Sequence, residues 1–401
     1  MKALVPTTFA YTCFLSATVA LGPLASDMYL PAFPQLERFF SASVGEIQWT
    51  LSIYLFGIAF FQLFYGPFTD RFGRKSVLLF GLVVFIGASS ACFFATSIEQ
   101  MTIFRFIQSF GISASVVVPR AMVRDLYERD QAAKQLSRMG SIMGFAPAIA
   151  PVLGGYIVIF YCWQGIFLCL AVIAVAISLV VLIFVEDSLK HKDLTALRPA
   201  MIWKNYYELL THAEFMGYAL TAALCFSGMF AFISGSSFVL INVFDVSTEH
   251  FGYYFGLVVI GFILGTLLGP RMTYAFGLRS SLRFGVMLSA SGGIIMLFFA
   301  LVSFHHPLAI ALPMFLYNMG VGVVMPQCQA GAMAPFPEKA GAAAALTGFV
   351  ILGFSAVVGL IVAELYDGTQ MPMVGTICVM GMGSFIFFMM TGHRAEAAET
   401  R

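Results

Sequence analysis

The chain has 401 residues, 60% of them hydrophobic and only 10% charged, with a formal net charge of +1 at pH 7. Soluble domains carry roughly 25% charged residues, so this composition excludes a soluble enzyme, and the balanced charge excludes a surface built to hold nucleic acid. The seven cysteines lie in or beside apolar stretches with no CxxC spacing and no paired histidine, which reads as small apolar packing rather than a disulfide or metal framework; no metal and no cofactor are expected.

Twelve apolar runs follow one another, near 8–33, 47–67, 76–96, 101–121, 139–160, 163–185, 214–241, 251–271, 283–303, 307–328, 341–363 and 371–391. A bilayer core takes about 20 apolar residues per helix, so the expected fold is an all-α polytopic membrane protein with twelve transmembrane helices. Glu186 to Tyr207 is the one long polar connection, and it divides the chain into an N-terminal six-helix half (1–185), a linker (186–213) and a C-terminal six-helix half (214–401). Lys2 precedes the first run, but that run is too long, and too many others follow, for a signal peptide. With the N-terminus cytoplasmic, all of the 21 lysines and arginines except Arg38, Arg105 and Arg120 fall in cytoplasmic loops or termini. The positive-inside rule then puts both termini in the cytoplasm.

The first run ends in Ser26-Asp27-Met28-Tyr29-Leu30-Pro31, and Asp27 is its only charge. An ionisable group at membrane depth costs about 2.5–3.5 kcal/mol on insertion scales and marks an ion or substrate pathway. The alternative is a carboxylate in the outer headgroup zone, since Pro31 and Pro34 follow closely. Between the second and third runs stands Gly66-Pro67-Phe68-Thr69-Asp70-Arg71-Phe72-Gly73-Arg74-Lys75. Gly66 and Gly73 permit tight backbone geometry at both ends, and one acid among three bases suits a breakable latch formed by Gly66, Asp70, Arg71, Gly73, Arg74 and Lys75. Gly269-Pro270 to Phe276-Gly277-Leu278-Arg279-Ser280 echoes this stretch half a chain later without the acid, which implies two homologous halves and makes Asp70 the latch member that matters.

In the fourth run Arg105 lies at a depth comparable with Asp27, so the two are expected to meet, and Gln108 shares the helix face of Arg105. An arginine snorkelling to the outer headgroups is the alternative. Arg124-Asp125-Leu126-Tyr127 follows as a mixed-charge loop, read as solvated ion pairs. The fifth run carries Gly144, Ala146, Pro147, Ala150, Pro151, Gly154 and Gly155; small residues admit close helix approach and the prolines soften a helix, so Pro147, Pro151, Gly154 and Gly155 form a candidate hinge. In the seventh run Phe226, Met229 and Phe230 share a face, which serves as core or as the wall of a binding cavity for apolar ligands. Asn318 in the tenth run is an intramembrane amide that lines the cavity or bonds a neighbouring helix. Asp27, Tyr29, Gln108, Phe226, Met229, Phe230 and Asn318 make up the candidate substrate-binding set, with Asp27 and Arg105 as the proton-coupling pair.

The stretch from Gly66 to Lys75 resembles the major facilitator superfamily signature G-x-L-x-D-R-x-G-R-[KR], with Phe68 in place of the leucine. Arg105-Phe106-Ile107-Gln108-Ser109 is similar to the superfamily element R-x-x-Q-G, and Ala150-Pro151-Val152-Leu153-Gly154-Gly155 to the antiporter element G-P-x-x-G-G. Together with Asp27 to Pro31, Arg124 to Tyr127, Phe226 to Phe230 and Phe251-Gly252-Tyr253-Tyr254-Phe255, the chain resembles the bicyclomycin-resistance (Bcr/CflA-type) branch of bacterial drug–proton antiporters. The resemblance implies a major facilitator fold of two pseudo-symmetric six-helix halves in the inner membrane, working as a monomer in membrane lipid. It also implies proton-coupled efflux of small amphiphilic drugs such as phenicols, bicyclomycin or sulfonamides, with Asp27 as the coupling carboxylate and Arg105 implicated in proton transfer. A proton-coupled transporter of a natural metabolite, an amino acid or small peptide, shares the scaffold. Some relatives carry a second acid two turns earlier, where this chain has Val19 and Ala20, so coupling is expected to rest on one carboxylate. A membrane enzyme would need a GxSxG or HExxH motif or an aspartyl pair, none of which the sequence contains.

Overall fold

The computed structural model describes residues 8–127, 131–132, 135–136, 138–139, 145–189, 192 and 197–399, and at 201, 337 and 391–399 it describes the backbone alone. Of the basic residues assigned above to the cytoplasmic side, Lys2, Arg129, Lys134, Lys190 and Arg401 lie outside the described residues, as does Gly144. The described elements are helices. They are α1 (Phe9–Asp27), a short 3-10 turn (Leu30–Ala32), α2 (Phe33–Phe40), α3 (Val44–Phe72), α4 (Arg74–Phe93), α5 (Ile98–Leu126), α6 (Ala146–Tyr161) and α7 (Gln164–Phe184). After these come α8 (Pro199–Thr211), α9 (Ala213–Ser237) running into a π-helical turn (Phe238–Val243), α10 (Thr248–Phe276), α11 (Leu278–Leu301), α12 (Leu308–Met333), α13 (Ala340–Glu364) and α14 (Met371–Glu399). Among the described residues eleven segments are long and apolar enough to cross a membrane, and α6 is a shorter apolar helix. The chain is a multi-pass membrane protein, and each of the twelve apolar runs holds one helix.

Local chemistry sets several helix ends. Ser43 and Glu46 exchange hydrogen bonds at the start of α3, with Ser43 N–H donating to Glu46 Oε2 at 2.7 Å and Glu46 N–H to Ser43 Oγ at 3.3 Å, a reciprocal cap. Thr96-Ser97 and Gln100 do the same at α5. α1 stops at Asp27, six residues short of the end of its apolar run, because Pro31 has no N–H to give the Asp27 carbonyl four residues back. The chain then turns through Met28 and Tyr29 into the 3-10 turn.

Two compact units are present, one of Met1–Ala42 with Ile53–Asn205 and the other of Ser43–Ser52 with Tyr206–Arg401, so α3 contributes to both. In the first unit α5 packs on α4 and α1, and α7 packs on α4; in the second α12 packs on α10 and α11, while α9 packs on α13 and α14. The sequence repeat is visible as geometry. α3 and α10 are both 29 residues long, each contains a proline, and each ends at a glycine of positive φ, Gly73 at 99° and Gly277 at 83°. The N–H of each glycine closes the helix on a threonine carbonyl, Thr69 at 3.1 Å and Thr273 at 3.0 Å. Only glycine takes that backbone without strain.

Two expectations are corrected here. The signature stretch is not a loop: α3 runs to Phe72 and α4 begins at Arg74, so Gly73 alone makes the turn. Gly66 lies inside α3 with open space around it, so it is not a tight end. Within the polar linker α8 occupies Pro199–Thr211, with Glu208 paired to Lys339 at 2.5 Å.

Candidate functional site

The first unit buries an acid and a base near the end of α1. Asp27 is 5% exposed and Arg105 is fully buried. The last four carbonyls of a helix lack intrahelical partners, and Arg105 Nη1 takes one of them, donating to Ala25 O at 3.1 Å. A cation at a helix C-terminus also complements the macrodipole. The same nitrogen donates to Gln108 Oε1 at 2.6 Å, and Gln108 Nε2 donates to Ser89 Oγ at 2.8 Å, so α4 holds the amide that holds the arginine. The guanidinium carbon stands 4.0 Å from the ring centre of Tyr54 and 4.7 Å from that of Tyr29, within cation–π range. Tyr54 is fixed by its hydroxyl, which donates to Gly22 O at 3.3 Å. Tyr29 is packed edge-on against Phe33 and Phe167.

Asp27 does not pair with Arg105: among the described residues no ion pair joins them. The arginine is spent as the cap of α1 two residues earlier, and the Asp27 carboxylate accepts from its neighbour Ser26, whose Oγ lies 2.7 Å from Oδ1. Nε and Nη2 of Arg105 are buried without a hydrogen-bond partner among the described residues. The turn carrying Asp27 rests on α6, where a side chain at Gly154 would run into the Met28 backbone, so only glycine allows this contact. Gly155 is also buried, whereas Pro147 is at the start of α6, where its missing N–H costs nothing, and Pro151 is the one proline inside that helix. Pro147 therefore does not kink α6.

The signature residues converge on Arg74. Its Nε donates to Asp125 Oδ2 at 2.9 Å, and its Nη1 to Thr69 Oγ1 at 2.5 Å and Asp70 Oδ1 at 2.6 Å. Its backbone N–H donates to Asp187 Oδ1 at 3.0 Å, and Ser188 Oγ donates to Asp125 Oδ2 at 2.9 Å. Lys75 Nζ reaches the Leu182 carbonyl at 3.0 Å, and Arg71 stacks on Phe72 at 5.7 Å. Asp125 is thus part of the cluster rather than a solvated loop charge, and it is the less exposed of the two acids on Arg74, 18% against 46% for Asp70.

In the second unit Phe230 is 1% exposed and packs on Gly359 of α13, while Phe226 and Met229 are half-buried. Phe230 is a core residue and the expected stripe is split. Asn318 Nδ2 donates to Val258 O on α10 at 3.4 Å, and its Oδ1 is buried without a hydrogen-bond partner among the described residues. Sequence reasoning did not single out Ser26, Tyr54 or Ser89; a tyrosine inside an apolar run near an intramembrane arginine is the signal that was there to read. Asp187 and Ser188 carried no such signal.

Long apolar spans folded around an isolated acid and base are the architecture of a protein that carries solutes through a membrane: the chain is a membrane transporter. Residues 15–360 match the model of the Major Facilitator Superfamily, and the chain belongs to that family. It is 32% identical over 381 residues to a bicyclomycin resistance protein homolog of Haemophilus influenzae, covering 93% of this chain and 94% of that one. It is 28% identical to a chloramphenicol resistance protein of Pseudomonas aeruginosa, covering 91% and 88%. Among solved structures, a bacterial homolog of the human lysosomal transporter Spinster superposes with a TM-score of 0.71 at 15% identity, covering 96% and 97%. The major facilitator fold, two pseudo-symmetric halves of apolar helices, is therefore the fold of this chain.

Proposed function

We propose that the chain exports small amphiphilic drugs across the bacterial inner membrane in exchange for protons, by alternating access, with both termini cytoplasmic and with 1–185 and 214–401 as the moving halves. The observation that carries this reading is Asp27: a buried carboxyl in a transmembrane helix, hydrogen-bonded to Ser26 and without an ion pair among the described residues. Such a group is costly to keep charged and exchanges protons with its surroundings. Relatives named for resistance to bicyclomycin and chloramphenicol support drugs as cargo. In this mechanism Asp27 takes a proton from outside, drug entering from the cytoplasm displaces it, and Arg105 biases the exchange by its buried charge. The Arg74 cluster holds one of the two alternating states.

The test is drug-evoked proton release from purified protein in detergent, wild type against Asp27→Asn, with a phenicol, bicyclomycin and a sulfonamide. Wild type is expected to release protons on adding drug, and the variant to bind drug without release. Equal release from the variant overturns Asp27 as the coupling group.

A further inference from the structure

The connection between the six-helix halves carries α8, a helix of 13 residues that the transport reading leaves without a task. At about 100° per residue, Ile202, Tyr206 and Leu209 share one side of it, and Trp203, Tyr207 and Leu210 share the side next to that. Leu209 is fully buried and Ile202 and Tyr206 are half-buried, so the protein covers the first side. The second side is bare: Trp203 is 71% exposed, Tyr207 61% and Leu210 44%. The two sides join into one apolar surface roughly 160° wide, of which the chain covers only half. Lys204, Asn205, Glu208 and Thr211 occupy the rest of the circumference, and Arg198 stands at the start of the helix. Glu208 is paired with Lys339, whereas Arg198 and Lys204 are exposed and have no ion pair among the described residues.

The position of α8 decides what meets its bare side. Only His212 separates it from α9, which opens a membrane-crossing segment, so α8 stands at the membrane surface. Water leaves the stripe of Trp203, Tyr207 and Leu210 unburied, and the hydrocarbon interior strands Lys204. The boundary between them suits both: indole and phenol rings favour the headgroup level, and a lysine stem lies along apolar surface while its ammonium stays among the headgroups. The two open charges are both positive, which matches anionic lipid. We propose that α8 lies flat in the membrane–water interface, wedged between protein and bilayer, with Trp203, Tyr207 and Leu210 sunk at the headgroup–acyl boundary and Arg198 and Lys204 on the phosphates of anionic lipids. Glu208 joins the seated helix to Lys339, the residue before α13, so the charge of the bilayer acts on the second unit through this bond. The inference is independent of the cargo.

The experiment follows the fluorescence of Trp203 in the full chain, in nanodiscs of phosphatidylcholine with and without phosphatidylglycerol. Of the three tryptophans, Trp49 and Trp163 are common to wild type and Trp203→Phe, so the difference between the two isolates Trp203. That component is expected to be quenched by lipid brominated on the acyl chain near the headgroup and to be protected from acrylamide in the water. With phosphatidylglycerol the acrylamide quenching constant is expected to fall further, by up to about fivefold for each basic residue. Arg198→Gln combined with Lys204→Gln should remove that fall and leave the bromine quenching in place. Acrylamide quenching without bromine quenching puts α8 in water and overturns the proposal. Protection from acrylamide without bromine quenching overturns it as well, because protein, a second copy included, then covers the stripe. Bromine quenching with no response to phosphatidylglycerol overturns the preference for anionic lipid.

Discussion

Arg74 offers a quantitative test of which acid the signature motif works through. Its side chain is 8% exposed and bonds both carboxylates: Asp125 through Nε at 2.9 Å and Nη2 at 3.4 Å, and Asp70 through Nη1 at 2.6 Å. The Asp70 pair is of the (i, i+4) type, with an acid nearly half exposed, and such pairs contribute about 0.3–0.5 kcal/mol. The Asp125 pair is two-pronged and mostly shielded, and hydrogen bonds to charged groups contribute about 1.5–3 kcal/mol. A double-mutant cycle of Arg74→Gln with Asp125→Asn should therefore show a coupling of about 2 kcal/mol, and the cycle with Asp70→Asn no more than about 0.5 kcal/mol. In a unit of this size 1 kcal/mol moves the melting midpoint by about 2–4 °C. Thermal unfolding in detergent should then show a non-additivity of about 4–8 °C for Asp125 and about 2 °C or less for Asp70. A coupling for Asp70 equal to or larger than that for Asp125 would refute the assignment and return the motif's own acid to the centre.

Two further perturbations bear on the Asp27 neighbourhood. Gly154→Val places a branched side chain against the Met28 backbone and should destabilise the protein by about 1–3 kcal/mol, despite the better helix propensity of valine over glycine; an unchanged melting midpoint would show that the turn does not rest on α6. Tyr54→Leu removes the ring 4.0 Å from Arg105, a contribution of about 0.5–2 kcal/mol, and should weaken drug-evoked proton release, whereas Tyr54→Phe keeps the ring and should retain it. If the phenylalanine variant is as impaired as the leucine one, the hydroxyl bond to Gly22 is what matters instead.

What the sequence made legible, and what it did not, follows from the range of the forces involved. The helices were readable because a bilayer demands long apolar runs, and the repeat was readable because Gly73 and Gly277 answer the same backbone need. The nearness of Asp27 and Arg105 was readable as similar depth in two helices. Their failure to pair was not, since it depends on Pro31 ending α1 and on Arg105 being drawn to the Ala25 carbonyl so exposed. The Arg74 cluster was half legible: local pairing with Asp70 is written in the spacing, but Asp125, Asp187 and Ser188 lie 51 or more residues away. Asp125 looked like ordinary solvated loop charge, and the uncharged Ser188 gave no electrostatic signal at all.

The bond from Asp187 to the Arg74 N–H, and from Ser188 to Asp125, gives the chain a natural seam. Asp187 and Ser188 are stitched back to Arg74 and Asp125 of the first unit, while α8 is tied through Glu208 to Lys339 in the second. A gene divided at Lys192 leaves both sets of stitches within their own fragments, whereas one divided before Asp187 strips the first fragment of the groups that fasten its corner. For co-expression of separate halves, or for insertion of a tag or reporter between them, the usable window lies after Leu189.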